Sequence, residues 1–339
     1  MTLNPEARAM TLNPEARADL EKLLGLLIAD AAAEGASDVH LNASPLGWRL
    51  RYRVDGALRN VHELPASIRD AMPTALADLV GGRIVGQLRT HDHDVRFSCV
   101  SSVQGPNLVL RLLEANRVPL ALDELGMDAD TLGRWRALLK HPYGLLIISG
   151  PTGSGKTTTA YASLAEIATP ERNVITVEDP VECIFDWAVQ LPMAGTFPDT
   201  LRSVYAQDPD VLYCGEVRDG ETAETLARMA LSGHQVLTCL HAPEPALALQ
   251  RLEAAGLAPA LLHSAVSGVL CQRLVRLLCP SCRRLDKGEA CEACHGTGHH
   301  GRRGVFTLWT PDHADVSLKD AALELARRGE ISHEEALRG

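Results

Sequence analysis

The octet Gly150-Pro151-Thr152-Gly153-Ser154-Gly155-Lys156-Thr157 fits the pattern G-x-x-x-x-G-K-[ST] and constrains this chain more than any other feature. The run Leu145-Leu146-Ile147-Ile148 before it reads as a buried strand, and Thr158 to Ala168 after it reads as a helix. In that order, the backbone N–H groups of a glycine-rich loop converge on phosphates at a helix start whose dipole favours anions. Lys156 is then placed to meet the β and γ oxygens of a nucleoside triphosphate, and the Thr157 hydroxyl to ligate magnesium. The expected ATP-binding set is Gly150, Pro151, Thr152, Gly153, Ser154, Gly155, Lys156, Thr157 and Thr158.

With 339 residues, 46% of them apolar, the chain can build two compact domains. Its most membrane-like stretch, Leu20 to Ala33, is broken by Glu21, Lys22 and Asp30, well short of the ~20 apolar residues a spanning helix needs. The N-terminus lacks the basic-then-apolar order of a secretory signal, so the expected compartment is the cytoplasm, with reduced cysteines. A formal charge of −10 and an aromatic content of 4% argue against a broad nucleic-acid surface, and no direct nucleic-acid contact is expected.

Residues 1–9 recur identically as 10–18. Repeat architectures use periods of about 20 to 50 residues in three or more copies, so this reads as a duplicated start region or an artefact. A helix-like stretch from Asp19 to Ala33 follows. The pattern then turns to alternation: Val39-His40-Leu41 and Trp48 to Val54 read as strands, with Asp55-Gly56 as a hairpin turn. Further strands are expected at Asp94–Val100 and Asn107–Leu112, completing a small α+β domain before a linker-like Asn116-Arg117-Val118-Pro119. Beyond a helical segment around Leu132–Leu139, strands at Asn173–Val177, Val211–Cys214 and Gln235–Leu240 alternate with helices, as in a mostly parallel sheet.

Four motifs stand in one order: the phosphate loop; Glu178-Asp179-Pro180-Val181-Glu182; Gln207 to Val211 with Gly215-Glu216-Val217-Arg218-Asp219; and Gly233-His234 through Leu240-His241. Together with Ser37-Asp38-Val39-His40, Arg51-Tyr52-Arg53-Val54-Asp55-Gly56 and Gln272-Arg273-Leu274-Val275-Arg276, they resemble the type II secretion and type IV pilus assembly ATPases across residues 37–310. The resemblance implies a RecA-like P-loop NTPase core, an N-terminal PAS-like α+β domain, and a cytoplasmic homo-hexamer peripheral at the inner membrane. Such hexamers hydrolyse ATP between subunits and work with inner-membrane platform proteins. The domains so expected are the duplicated tail (1–18), the α+β domain (19–115), a linker (116–122), the RecA-like core (123–278), a tetracysteine element (279–298) and a helical C-terminal region (299–339).

Glu182 and Glu216 are candidates to orient or deprotonate the attacking water, and their chemistry alone does not choose between them. Gly215 stands where many NTPases carry the magnesium aspartate, a departure the family shares. The resemblance assigns His241 to sensing the γ-phosphate. His234 lies seven residues earlier, an odd spacing that sends the two to opposite faces of a straight strand, and its role is left open between packing and catalysis. Arg96 and Arg111 match arginines that relatives supply to the nucleotide across domains or subunits, where a guanidinium accelerates hydrolysis by roughly 10³ to 10⁵. Surface ion pairing is the alternative for both. Arg202 matches a further family arginine, while Ala206 replaces another.

Cys279-x-x-Cys282 and Cys291-x-x-Cys294 can each wrap one edge of a tetrahedral zinc, closing a structural site with no open position for water. His295, His299 and His300 are alternative ligands, and Cys99, Cys183, Cys214, Cys239 and Cys271 read as core residues. The tetracysteine favours assembly or secretion over pilus retraction. The docking domain of larger relatives has no counterpart ahead of Ser37, and the segment between Ala71 and Asp94 is shorter than usual, so recruitment differs or the chain is trimmed. The competing readings are a DNA-uptake or conjugation motor and a decayed nucleotide-binding scaffold.

Overall fold

The computed structural model describes residues 14–44, 47–64, 85–89, 94–113, 121–282 and 291–338. Much of the duplicated tail, the linker-like Asn116–Pro119 and most of the short segment between Ala71 and Asp94 lie outside the described residues. The chain forms two compact units, Met1–Arg117 and Val118–Gly339.

In the first unit, helix α1 (Pro14–Ala33) precedes strands β1 (Ala36–Ser44), β2 (Gly47–Val54), β3 (Ala57–Leu64), β4 (Val85–Arg89), β5 (Asp94–Ser102) and β6 (Gly105–Leu113). They form one antiparallel sheet in the order β3-β2-β1-β6-β5-β4. Alternation decides its two faces. Val39, Leu41, Trp48, Leu50, Tyr52, Phe97 and Leu110 are buried in one core with Leu24, Ile28 and Ala31, which recur at helical spacing along α1. The Tyr52 hydroxyl donates to Asp30 at 2.8 Å and ties the helix down. Asp55 (φ 50°) and Gly56 (φ 78°) supply the left-handed pair that the expected β2–β3 hairpin requires. The register places Asp38 opposite both Arg53 and Arg111, and Arg96 opposite Arg111, on the face away from that core.

The second unit opens with a 3₁₀ turn at Leu122–Glu124. It continues through α2 (Ala129–Leu139), β7 (Gly144–Ser149), α3 (Lys156–Ile167), β8 (Val174–Glu178), β9 (Val189–Pro192), α4 (Phe197–Tyr205), β10 (Val211–Cys214), α5 (Gly220–Leu231) and β11 (Gln235–Leu240). Then come α6 (Pro245–Ala254), α7 (Pro259–Ala265), β12 (Val266–Leu278), β13 (His299–Thr310), β14 (His313–Ala314), α8 (Leu318–Arg327) and α9 (His333–Leu337). The sheet order is β14-β13-β12-β7-β11-β10-β8-β9, parallel from β12 to β9. All six residues of β7 are buried. Leu145 and Ile147 enter one core with α4 to α8, whereas Leu146 and Ile148 enter another with α2 and α3. This is the expected doubly wound, RecA-like arrangement, and it puts the phosphate loop at the carboxyl edge of a central strand, where such sheets hold ligands.

One expectation needs correction. Residues 299–339 are not a purely helical tail, because they open with the 12-residue β13, which pairs antiparallel with β12 and extends the core sheet past the tetracysteine. Val305, Phe306 and Leu308 are buried there. The β-branched and aromatic run Val305-Phe306-Thr307-Leu308-Trp309 was the available signal, masked by the polar His299 to Gly304 before it. No helix among the described residues is long and apolar enough to cross a membrane.

Candidate nucleotide site and tetracysteine centre

The loop after β7 closes with glycine geometry. Gly153 (φ 76°) and Gly155 (φ 87°) take left-handed conformations, and Gly155 caps the start of α3. A Cβ on Gly150 would lie 2.2 Å from the Gln272 carbonyl oxygen, so no larger residue fits between β7 and β12 there. From that same residue the Gln272 amide donates to Ser154 O at 2.7 Å and braces the loop from beneath. In sequence Gln272 stands out only as the first residue of the Gln272–Arg276 signature. Across the loop, Ser149 Oγ donates to Ala242 O (2.8 Å) and accepts from Ala242 N–H (3.1 Å), and Gly150 N–H donates to Leu240 O (3.3 Å). These bonds lock the end of β11 beside the loop and bring His241 to it.

Lys156 is buried and donates to Gly150 O and Pro151 O, both at 2.9 Å, with His241 Nδ1 at 3.3 Å. An ammonium has no lone pair, so His241 must accept at Nδ1 and carry its proton on Nε2, which lies 3.8 Å from Glu216 Oε2. Burial draws the Lys156 ammonium below its usual range, against the opposing pull of Cys239 and Glu216. Burial and then the Lys156 charge hold His241 below its ordinary 6.5, with Glu216 opposing, so the ring is neutral at pH 7. The direct partners of the Lys156 ammonium are neutral acceptors, which leaves its charge available to an anion. These residues fit a nucleotide triphosphate, and the half-buried Thr157 at the first turn of α3 offers its hydroxyl for magnesium.

Glu216 is held in turn by Arg218, whose guanidinium also reaches Asp179 at 3.1 Å and lies 5.7 Å from the Phe197 ring centroid. Glu182 stands on the loop leaving β8, and its backbone N–H donates to Tyr161 Oη at 3.3 Å. Glu178, the last residue of β8, is buried and accepts from Tyr161 Oη, from Thr176 Oγ1 (2.6 Å) and from Gln190 Nε2 (3.3 Å). In sequence, Tyr161 falls inside the helical stretch after the loop and Glu178 stands only as the first residue of the Glu178–Glu182 motif, so neither reveals this pairing.

Other expected residues are engaged with partners of their own. His234 precedes β11, and its Nδ1 donates to Met229 O at 3.1 Å, beside Ser232 Oγ, closing the C-terminal end of α5. It packs there, at the opposite end of β11 from His241. Arg111 pairs with the buried Asp38 at 3.0 Å and Arg53 approaches the same carboxylate at 3.7 Å, while Arg96 lies beside Arg111 across β5 and β6. Arg202 pairs with Asp199 at 2.7 Å and with Glu221, and Ala206 caps the end of α4.

The sulfur atoms of Cys279, Cys282, Cys291 and Cys294 all lie within 4.8 Å of one another, with Cys279–Cys291 at 3.9 Å and Cys282–Cys294 at 3.7 Å. Thiolates ~2.3 Å from a tetrahedral zinc stand ~3.8 Å apart, so the donor set fits the ion. Backbone N–H bonds from Cys282 and Ser281 lower the Cys279 thiol to about 6. His299 and His300 turn their Nδ1 atoms to the carbonyls of Thr297 (3.0 Å) and Ala293 (2.9 Å). The remaining five cysteines are buried, as expected.

Comparison with known proteins agrees with this architecture. The family model described as "Type II/IV secretion system protein" matches residues 13–336. The Vibrio cholerae type II secretion system ATPase E is 34% identical over 95% of this chain and 75% of its own length. HxcR, a type II secretion system protein of Pseudomonas aeruginosa, is 37% identical over 87% of this chain and 67% of its own length. The Thermus thermophilus type IV pilus assembly ATPase PilB is 35% identical over 91% of this chain but 40% of its own length. The fold is shared with the Legionella pneumophila ATPase DotB (TM-score 0.72, 18% identity, 93% of this chain and 94% of that one). It is likewise shared with the pilus retraction motor PilT (TM-score 0.67, 23% identity, 93% and 96%). By its sequence, this chain belongs to the type II/IV secretion system protein family.

Proposed function

We propose that this chain powers assembly of a type II secretion pseudopilus or a type IV pilus, working as a homo-hexamer on the cytoplasmic side of the inner membrane and held there by platform proteins. Its chemistry is ATP hydrolysis. The observation that carries the reading is the convergence of Lys156, His241 and Glu216 at the mouth of a braced phosphate loop. On nucleotide binding, the Lys156 ammonium exchanges the carbonyls of Gly150 and Pro151 for phosphate oxygens. The neutral His241 presents Nε2–H to the same side, as a sensor of the γ-phosphate. Thr157 would hold a magnesium ion, which would neutralise charge on the phosphates when bound. Glu182 or Glu216 orients the attacking water. Arg96 and Arg111, set side by side on their sheet, are the arginines offered to the nucleotide across domains or subunits, and their release after hydrolysis turns chemistry into rigid-body rotation. Arg202 contributes at a subunit contact, exchanging its present partners Asp199 and Glu221 on assembly. The tetracysteine holds zinc structurally.

The test is Mg-ATP turnover by the purified chain and by Lys156→Ala, with mass in solution measured with and without a non-hydrolysable ATP analogue. Turnover abolished in a folded Lys156→Ala, together with nucleotide-dependent hexamers, supports the motor. Binding without hydrolysis at any protein concentration overturns it in favour of a nucleotide-sensing scaffold.

A further inference from the structure

Behind the phosphate loop sits a buried polar group that the chemistry above does not use. Tyr161 lies four residues after Thr157 on α3, so the two share one helix face. Its hydroxyl is bonded on both sides: it donates to the buried carboxylate of Glu178 and accepts the backbone N–H of Glu182 at 3.3 Å. Its ring meets Phe185 edge-on at 4.9 Å, on the loop that carries Glu182, and Tyr213 at 6.2 Å, in the strand leading to Glu216. Phe185 stacks on Trp187 at 4.7 Å, and the Phe185 N–H donates to Gln190 Oε1 at 2.7 Å. Gln190 returns its amide to the Cys183 carbonyl (2.8 Å) and to Glu178 (3.3 Å). Tyr161 therefore joins the Glu182 loop to the nucleotide-binding helix through a buried hydroxyl and its ring contacts.

We propose that Tyr161 is a positioning residue for hydrolysis: it fixes the backbone at Glu182 relative to the phosphate loop and transmits movement of α3 to that carboxylate. A hydroxyl suits this task because it donates and accepts at once, and phenylalanine would fill the same volume while doing neither. Glu178 supplies the fixed acceptor that orients the hydroxyl hydrogen, leaving the oxygen lone pair for the Glu182 N–H. Lys156 and Thr157 bind phosphate without Tyr161, so the residue acts on turnover rather than on nucleotide affinity.

The proposal rests on the ATPase reading, and its test separates the two. Tyr161→Phe is compared with the intact chain for kcat and KM of Mg-ATP, and for backbone hydrogen exchange without nucleotide. The expected result is a fall in kcat on the order of 10- to 100-fold with KM held within about twofold. Exchange should quicken in the peptide holding Glu182 and Phe185 and stay unchanged in the peptide holding residues 150–157. Glu178→Gln, which keeps an acceptor for the hydroxyl hydrogen, should shift kcat in the same direction but less, and it serves if the first variant folds poorly. Unchanged kcat, a rise in KM alone, or unchanged exchange at Glu182 overturns the positioning role. If the intact chain hydrolyses nothing, the ATPase reading fails, and the exchange comparison still decides whether Tyr161 holds this loop.

Discussion

Replacing Glu335 by glutamine tests how the end of the chain is bound to the nucleotide-binding sheet. Glu335, on the short helix α9, is nearly fully buried. It accepts from Arg276 through Nε (3.0 Å), Nη2 (2.6 Å) and the backbone N–H (3.1 Å). From the same strand Arg273 donates to the Ala336 carbonyl at 2.6 Å, closing the helix from its other end. Removing one member of a buried ion pair costs about 3–5 kcal/mol, and the partial exposure of Arg276 reduces this to about 2–3 kcal/mol. In a unit of this size 1 kcal/mol moves Tm by about 2–4 °C, so Glu335→Gln should melt about 5–10 °C lower at pH 7. Burial alone would raise the Glu335 carboxyl, but the Arg276 hydrogen bonds outweigh it and hold it below 4.5. The folded value therefore lies under the unfolded one. The stabilisation is fully present above the unfolded value of about 4.5 and is lost as pH falls through the lower folded one. The melting temperatures of the two proteins should converge in that acid window, followed by scanning fluorimetry from pH 7 to pH 3. A difference below about 1 °C at pH 7, or a gap that widens in acid, would refute the reasoning.

Two further outcomes follow from the site geometry. Metal analysis of protein purified under reducing conditions should find one zinc per chain, and Cys291→Ser should abolish stoichiometric binding and lower Tm; full retention of metal would contradict a four-thiolate site. His241 should titrate below 6.5 in NMR spectra of the nucleotide-free protein, and Lys156→Ala should raise its pKa by removing the neighbouring positive charge. A value that stays put or falls in the variant would mean that Lys156 and His241 are not in contact.

What could be read from the sequence and what could not divide along a physical line. The phosphate loop was legible because its task is local: glycine conformations, one lysine and one hydroxyl must sit within eight consecutive residues, so spacing alone carries the chemistry. The tetracysteine was legible for the same reason, since two short knuckles each set one edge of a tetrahedron. The strand alternation of the first unit likewise follows from nearest-neighbour geometry. The supporting residues obey no local rule. Gln272 lies 118 positions from the Ser154 carbonyl it braces, and Glu335 lies 59 from Arg276. Tyr161 lies within a helical stretch and Glu178 opens a carboxylate motif, and only tertiary structure makes them a buried polar pair. Burial of such groups is tolerated only when each donor finds its acceptor, which makes the bracing shell more sensitive to substitution than its plain appearance in sequence suggests. His234 and His241 illustrate the same division. They sit in one sequence motif, yet β11 carries them to opposite ends of the sheet, one to a helix terminus and one to the phosphate loop. A residue's place in this motif therefore says less about its chemistry than the edge of the sheet at which it emerges, and the carboxyl edge is where Lys156, Glu182, Glu216 and His241 all stand.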